Sequence, residues 1–215
     1  MSLLLITRAT NKEKETGEEA SRGTTTGLSG IEYLDFTHVL PECDDLQLSS
    51  EQMKALVFVS GYAVSKVLPQ TGCSSCKTNL RLEKKLQVEG SDDCYTYLSA
   101  LDRGGLTWPS ELAVEIVTQV FKVFQVLVGK EETERKFLTC ASQRKLLLTL
   151  AERRITDLGL VGDRCQDCGG YFADMCVKCC KPAVNIFLNN YSKHFCEKAS
   201  SFGSVRKLKT FTKRM

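Results

Sequence analysis

The chain has 215 residues, 42% of them hydrophobic, with 29 basic and 26 acidic side chains and a formal net charge of +3. That length supports one domain with its own core, with or without loose ends. The near balance of charge predicts neither strong binding of nucleic acid nor its avoidance, so the local distribution of charge matters more.

At the start, Leu3 to Ile6 is the only continuous apolar run. A signal sequence needs ~7–15 apolar residues and a membrane span roughly 20, so an intracellular chain with reduced thiols and no membrane attachment is expected. Residues 9–30 are Lys, Glu, Gly, Ser and Thr with almost no apolar side chains. Such a stretch does not offset its ordering entropy by burial, and residues 1–48 are read as a mostly disordered leader. Within it, Ile31, Tyr33, Leu34, Phe36, Val39 and Leu40 form a short apolar group, ended by Pro41, that is expected to dock on the helical domain after it.

From Ser49 the period becomes helical. Ser49 and Gln52 fit a capping box, and Met53, Leu56, Val57, Ser60, Ala63, Val64 and Val67 recur at three- and four-residue steps. Gly61 inside this run costs ~1 kcal/mol relative to Ala, which suggests a close helix crossing. Pro69 and Gly72 end the helix before Cys73. A short helix is expected from Ser91 to the Gly104–Gly105 pair. The clearest helix is "PSELAVEIVTQVFKVFQVLVG", with Ser110 as cap, Gly129 as stop and a stripe of Ala113, Ile116, Val117, Val120, Phe121, Phe124, Leu127 and Val128. Glu111, Glu115, Gln119, Lys122 and Gln125 fall mostly opposite that stripe. Further helices are expected from about Ser142 to Leu158 and from Pro182, a favourable first helical position. The fold class that results is mainly α: a helical domain over 49–200 with cysteine-bearing loops, followed by a basic tail, 201–215.

Eleven cysteines are clustered rather than spread, and in a reducing compartment clustered cysteines bind metal more often than they form disulfides. Zinc takes four thiolate or imidazole ligands in a tetrahedron, and one Cys-x-x-Cys turn supplies two. There are three such turns: Cys73/Cys76, Cys165/Cys168 and Cys176/Cys179. Gly169 after Cys168 suits a knuckle that needs positive φ. Two pairings are open. Cys165, Cys168, Cys176 and Cys179 would make a local site, with a spacer shorter than the ~15–20 residues of an ordinary ribbon. Alternatively Cys73 and Cys76 join Cys165 and Cys168 across space, which gives the isolated first pair its partners and leaves Cys176, Cys179 and Cys180 partly as helix-core thiols. The second pairing is preferred, and His194 and Cys196 remain for a second ion. Cys43, Cys94 and Cys140, taken singly, read as packing residues.

No enzyme signature is present. The neighbouring carboxylates Asp44/Asp45, Asp92/Asp93 and Glu131/Glu132 sit where acids cap helices, and His38 and His194 have no motif-placed nucleophile. From Lys181 onward there are eight basic residues against one acid, a local charge of +7 that leaves −4 for the remainder. Lys193, Lys198, Arg206, Lys207, Lys209, Lys213 and Arg214 are therefore the candidate DNA-binding residues, or a nuclear import signal.

Three stretches, "LSSEQMKALVFVSGYAVSKVL…CSSCKTNL", "YLSALDRGGLTWPSELAVEIVTQVF" and "CQDCGG…NIFLNNYSKHF…VRKLKTF", resemble in that order the C-terminal region of P-element-like transposases, whose full-length members often begin with a THAP zinc finger. The resemblance covers about residues 49–210, and "LSALDRGGLTWPSEL" is its most specific part. Complete members combine a DNA-binding finger with an RNase-H-like core whose acidic triad binds magnesium and cuts DNA. Those acids lie upstream of the motif represented by Gly61 and Tyr62, where this chain has its low-complexity leader, so none is carried over. "HFCEKAS" also stands where the family usually has an Asn-Asp pair. The resemblance implies a non-catalytic, zinc-stabilised, nuclear domain assisting DNA binding or nucleoprotein assembly. The alternatives are a protein–protein interaction module using the 110–128 helix, and a decayed transposon copy without selected function.

Overall fold

The Ser49 amide donates to Gln52 Oε1 at 2.9 Å and the Gln52 amide donates to Ser49 Oγ at 3.2 Å, so the first long helix opens with the reciprocal box its sequence predicts. The computed structural model describes residues 36–82, 93–102, 105–160, 162, 164–170 and 174–193. In chain order the α-helices are α1 (Val39–Glu42), α2 (Ser50–Val67), α3 (Ser74–Leu80), α4 (Asp93–Leu101), α5 (Glu111–Gly129), α6 (Glu131–Thr139) and α7 (Gln143–Asp157), then α8 over residues 174–193. The described residues contain no strand, and an isolated antiparallel bridge joins Arg81 to Pro109. The fold is mainly α.

Helix α5 is the hub. Ser110 Oγ accepts from the Ala113 amide at 3.2 Å, capping the helix, and α1, α2, α3, α6 and α7 all pack against it. Ala113, Ile116, Val117, Val120, Val123 and Leu127 are buried, each large apolar side chain contributing ~1.5–3 kcal/mol by leaving water. By length and apolar content α5 alone among the described helices would suffice to cross a membrane; here its apolar faces are covered by other helices. Phe187 of α8 packs on Phe121 and Phe124, with ring centroids 5.2 and 5.9 Å apart, and Tyr191 meets Phe124 edge-on at 5.8 Å.

Several elements differ from the sequence expectations. Gln119, assigned to the polar face of α5, is buried because its carbonyl accepts from Arg154 Nε of α7 at 3.2 Å and its amide donates to Glu115 at 2.6 Å. Arg154 is itself buried and also pairs with Asp44. The docking expected of the apolar group around Pro41 is, by contrast, observed in its described part: Phe36, Val39 and Cys43 join the main core, and α1 lies on α5. Helix α8 begins well before Pro182. An interior proline costs a helix about 3 kcal/mol, and here Met175, Cys176, Cys179, Cys180, Ala183, Val184, Phe187 and Leu188 bury one continuous helical face on both sides of it. Gly61 does mark a close approach, but not of a helix. A Cβ there would stand under 3.0 Å from the Thr107 carbonyl oxygen, so the 105–110 loop crosses α2 at that point.

The loop itself is held by the residues of the "LDRGGLTWPSEL" stretch. Asp102 accepts from Trp108 Nε1 at 2.9 Å and from the Leu106 amide at 3.2 Å. Tyr95 donates to the Pro109 carbonyl at 3.2 Å and its ring stacks on Trp108 at 6.4 Å. Ser110 donates to the Asn79 carbonyl at 2.7 Å, and the amides of Leu82 and Ser110 donate to the carbonyls of Trp108 and Leu80. Trp108, Leu98, Val57 and Val114 form a second, smaller core beneath it. One end of α3 is thereby fixed to the start of α5, which sets the position of the cysteines at the other end.

Candidate metal centre

Helix α2 ends in a 3-10 turn, Leu68–Gln70, and the chain turns through Thr71 and Gly72 into α3. Thr71 is buried, its hydroxyl bonding the Val67 carbonyl at 3.0 Å and Met175 Sδ at 3.8 Å. Cys73 is the N-cap residue of α3 and Cys76 lies in its first turn. The second pair follows α7, which closes as a Schellman motif: the Gly159 amide donates to Thr156 O and the Leu160 amide to Ile155 O. Residues 165–170 then form a knuckle. The Gly169 amide donates to Cys165 O at 2.8 Å, the Cys165 amide donates to Gly170 O at 2.9 Å, and Gly169 has φ of 66°, a conformation that strains any residue with a Cβ.

Cys73, Cys76, Cys165 and Cys168 come together at this junction, with their sulfurs all within 4.8 Å of one another. Cys73 Sγ lies 3.7 Å from Cys165 Sγ, and Cys76 Sγ lies 3.7 Å from Cys168 Sγ. Ser75, between the first two cysteines, donates its hydroxyl to Asp167, between the second two. The two motifs meet residue against residue, each of these pairs being 92 positions apart. Cys76 and Cys165 are buried, Cys73 is half-buried and Cys168 is exposed.

The donor set fits a tetrahedral thiophilic ion. Four sulfurs bound to zinc at about 2.3 Å stand roughly 3.8 Å apart along each edge of the tetrahedron, and the two sulfur pairs above are at 3.7 Å. The same spacing is far too long for disulfides, whose sulfurs stand ~2.05 Å apart. The protonation chemistry of the group is divided. The amides of Cys168 and Asp167 point at Cys165 Sγ and hold that thiol down to about 7. Burial, with the neighbouring Cys165, Cys168 and Cys73 thiols, pushes Cys76 up. At Cys168 the Gly170 amide pulls down, but the Cys165 and Cys73 thiols push up and the net shift is upward. Four thiolates this close repel one another, and a bound cation relieves that repulsion.

The remaining cysteines are elsewhere. Cys176 and Cys179 lie in the core face of α8, outside the four-sulfur group, and burial pushes them up to about 11 and about 12. Burial also pushes Cys180 up, with smaller contributions from Cys179 and Cys176. Such thiols behave as small apolar side chains. Cys43 is buried and its Sγ contacts the Val39 carbonyl at 3.3 Å, while Cys140 is half-buried. The side chain of Cys94, together with His194 and Cys196, lies outside the described residues. Of the candidate DNA-binding residues, Lys193 is the last described residue of α8; Lys198, Arg206, Lys207, Lys209, Lys213 and Arg214 fall outside the described residues as well. Among the described acidic pairs, Asp44 holds Arg154, and Glu131 and Glu132 pair with Arg135 and Lys136 one turn along α6.

Residues 46–157 match the family described as DNA transposase THAP9, C-terminal domain. The matched span contains Cys73, Cys76, Asp102 and the 105–110 loop and stops short of Cys165. Comparison with curated proteins and with solved structures gives no match.

Proposed function

The chain belongs to the family of the C-terminal domain of DNA transposase THAP9, and from that membership we propose that it is a transposase-derived helical domain clamped by a zinc ion. Cys73, Cys76, Cys165 and Cys168 hold the ion, and the four-sulfur geometry carries the reading. Zinc here is structural: four protein ligands leave no open position for water, unlike a catalytic site. Its effect is to tie the junction of α2 and α3 to the segment after α7.

The domain is non-catalytic in this reading. Of the neighbouring acids a two-metal nuclease would draw on, Asp44, Glu131 and Glu132 are engaged in ion pairs. Its role is nuclear, in DNA binding or nucleoprotein assembly, with the basic series from Lys193 to Arg214 meeting phosphates. The protein-interaction alternative relies on an uncovered flank of α5. Phe124 is buried, while Phe121 is half-buried against Phe187, so that flank of α5 is only partly covered and the DNA reading is preferred on the basic series.

Elemental analysis of the purified chain, with helical circular dichroism before and after chelation, tests the metal. Zinc at about one ion per chain and loss of helix on chelation are expected, because binding free energy of a structural ion is folding free energy. No metal, or iron in its place, would sink the zinc assignment. Filter binding of duplex DNA over a salt series tests the second part: affinity should fall steeply with salt, and no retention at low salt removes the DNA role.

A further inference from the structure

The four sulfurs are unequally shielded. Cys168 is exposed while Cys76 and Cys165 are buried, and Cys168 opens onto a surface pocket that Gly72, Gly170 and Lys178 also line. A small oxidant therefore meets Cys168 first. Cys76, 3.7 Å from its sulfur, belongs to the other motif, and closing that gap to the ~2.05 Å of a disulfide takes a movement of under about 2 Å.

We propose that Cys168 is a peroxide-reactive modification site and that its oxidation ends in a Cys76–Cys168 disulfide, exchanging the metal clamp for a covalent one between the same two segments. The proposal rests on the zinc reading above. In the first step the Cys168 thiolate sulfur attacks one oxygen of hydrogen peroxide; the O–O bond breaks, a sulfenic acid forms and hydroxide leaves. In the second the Cys76 thiolate attacks the Cys168 sulfur, forming S–S and releasing a second hydroxide. Two thiolates lose two electrons, peroxide gains them, and the zinc ion, unchanged at 2+, loses two ligands and dissociates. Because the new bond joins residues 92 positions apart, the link between the two segments outlasts the metal. A disulfide within one motif, Cys165–Cys168, would release zinc without preserving that link.

The test treats the zinc-loaded full chain with hydrogen peroxide, follows zinc release with a coloured chelator, and maps disulfides by mass spectrometry of non-reduced peptides. The expected result is zinc release together with the Cys76–Cys168 cross-linked peptide, and an oxidised chain that keeps its helix in chelator where the reduced chain loses it. Cys168→Ser should slow peroxide-driven release at least about tenfold, since the accessible thiolate is the one attacked. Should that variant fail to bind zinc, the peptide map of the unaltered chain decides alone. A zinc-loaded chain that resists peroxide, or that yields Cys165–Cys168 instead, overturns this proposal and leaves the zinc reading standing. A chain without zinc before treatment overturns both.

Discussion

Ser75 and Asp167 are joined by a hydrogen bond across the same 92-residue offset that separates Cys73 from Cys165 and Cys76 from Cys168. The polar pair sits at matching positions of the two motifs, so it fixes how one lies on the other without supplying a ligand. Partners that orient metal ligands change affinity by roughly 10–100-fold when lost; this bond acts through the backbone, so Ser75→Ala should speed zinc loss to a chelator at the low end, up to about tenfold. The unfolding free energy of the zinc-loaded chain should fall by no more than about 1 kcal/mol. An unchanged rate of zinc loss would mean that the cysteines alone set the arrangement.

Gly61 gives a test of opposite sign to helix propensity. At an open position in a helix, Gly→Ala stabilises by ~1 kcal/mol. At Gly61 the added methyl would meet the Thr107 carbonyl oxygen, a backbone atom held in place by the hydrogen bonds of the loop around Trp108. Gly61→Ala is therefore expected to destabilise by roughly 1–3 kcal/mol, the usual cost of overpacking, read from urea unfolding. Stabilisation instead would show that the loop yields easily.

Helices α2 and α5 are legible in the sequence because their signals are local: a capping residue, a three-to-four spacing and a glycine or proline near the end. Spacing puts Gln119 on the wrong face for a non-local reason, since the group that makes its burial tolerable, Arg154, lies 35 residues away. Pro182 makes α8 read as starting too late, because a strong local signal is outweighed by apolar burial on both sides of it. For the cysteines, spacing identifies the pairs and the isolation of Cys73/Cys76 favours them over Cys176/Cys179 as partners of Cys165/Cys168; the four-sulfur group and the burial of Cys176 and Cys179 in the core face of α8 agree with that preference. The role of Asp102 leaves no trace in any pattern, because an acid accepting from an indole has no fixed spacing.

Arg154 and Asp44 give the fold an acid-sensitive fastening. Arg154 is buried and its guanidinium meets the Asp44 carboxylate and Gln119. The hydrogen bond from Arg154 holds Asp44 below its ordinary value. The sign comes from linkage. A carboxyl whose folded value is depressed contributes stability that is complete above the unfolded value, near 3.8, and is lost as pH falls through the folded one. Asp44→Asn should therefore destabilise the chain at neutral pH, and the difference from the unaltered protein should shrink as unfolding is measured at progressively more acid pH. A difference constant across that range would mean that Arg154 is satisfied by Gln119 without Asp44.

Trp108 is the single tryptophan of the chain, which makes the 105–110 loop directly observable. Its indole is buried on Leu98, Val57 and Val114, and Asp102 accepts from both Nε1 and the Leu106 amide. Removing the carboxylate in Asp102→Ala takes an acceptor from both donors, and a buried polar group left unsatisfied costs about 1–3 kcal/mol. The indole then regains a partner only by turning toward water. The expected outcome is an emission maximum shifted to the red in the native state, with unfolding free energy lowered by about 1–3 kcal/mol. Because this loop also crosses α2 at Gly61 and binds Leu80 and Leu82 at the far end of α3, loosening it should reach the cysteines, so the same variant is expected to release zinc to a chelator faster. A red shift with zinc retention unchanged would separate the loop from the metal centre and assign it to the small core alone.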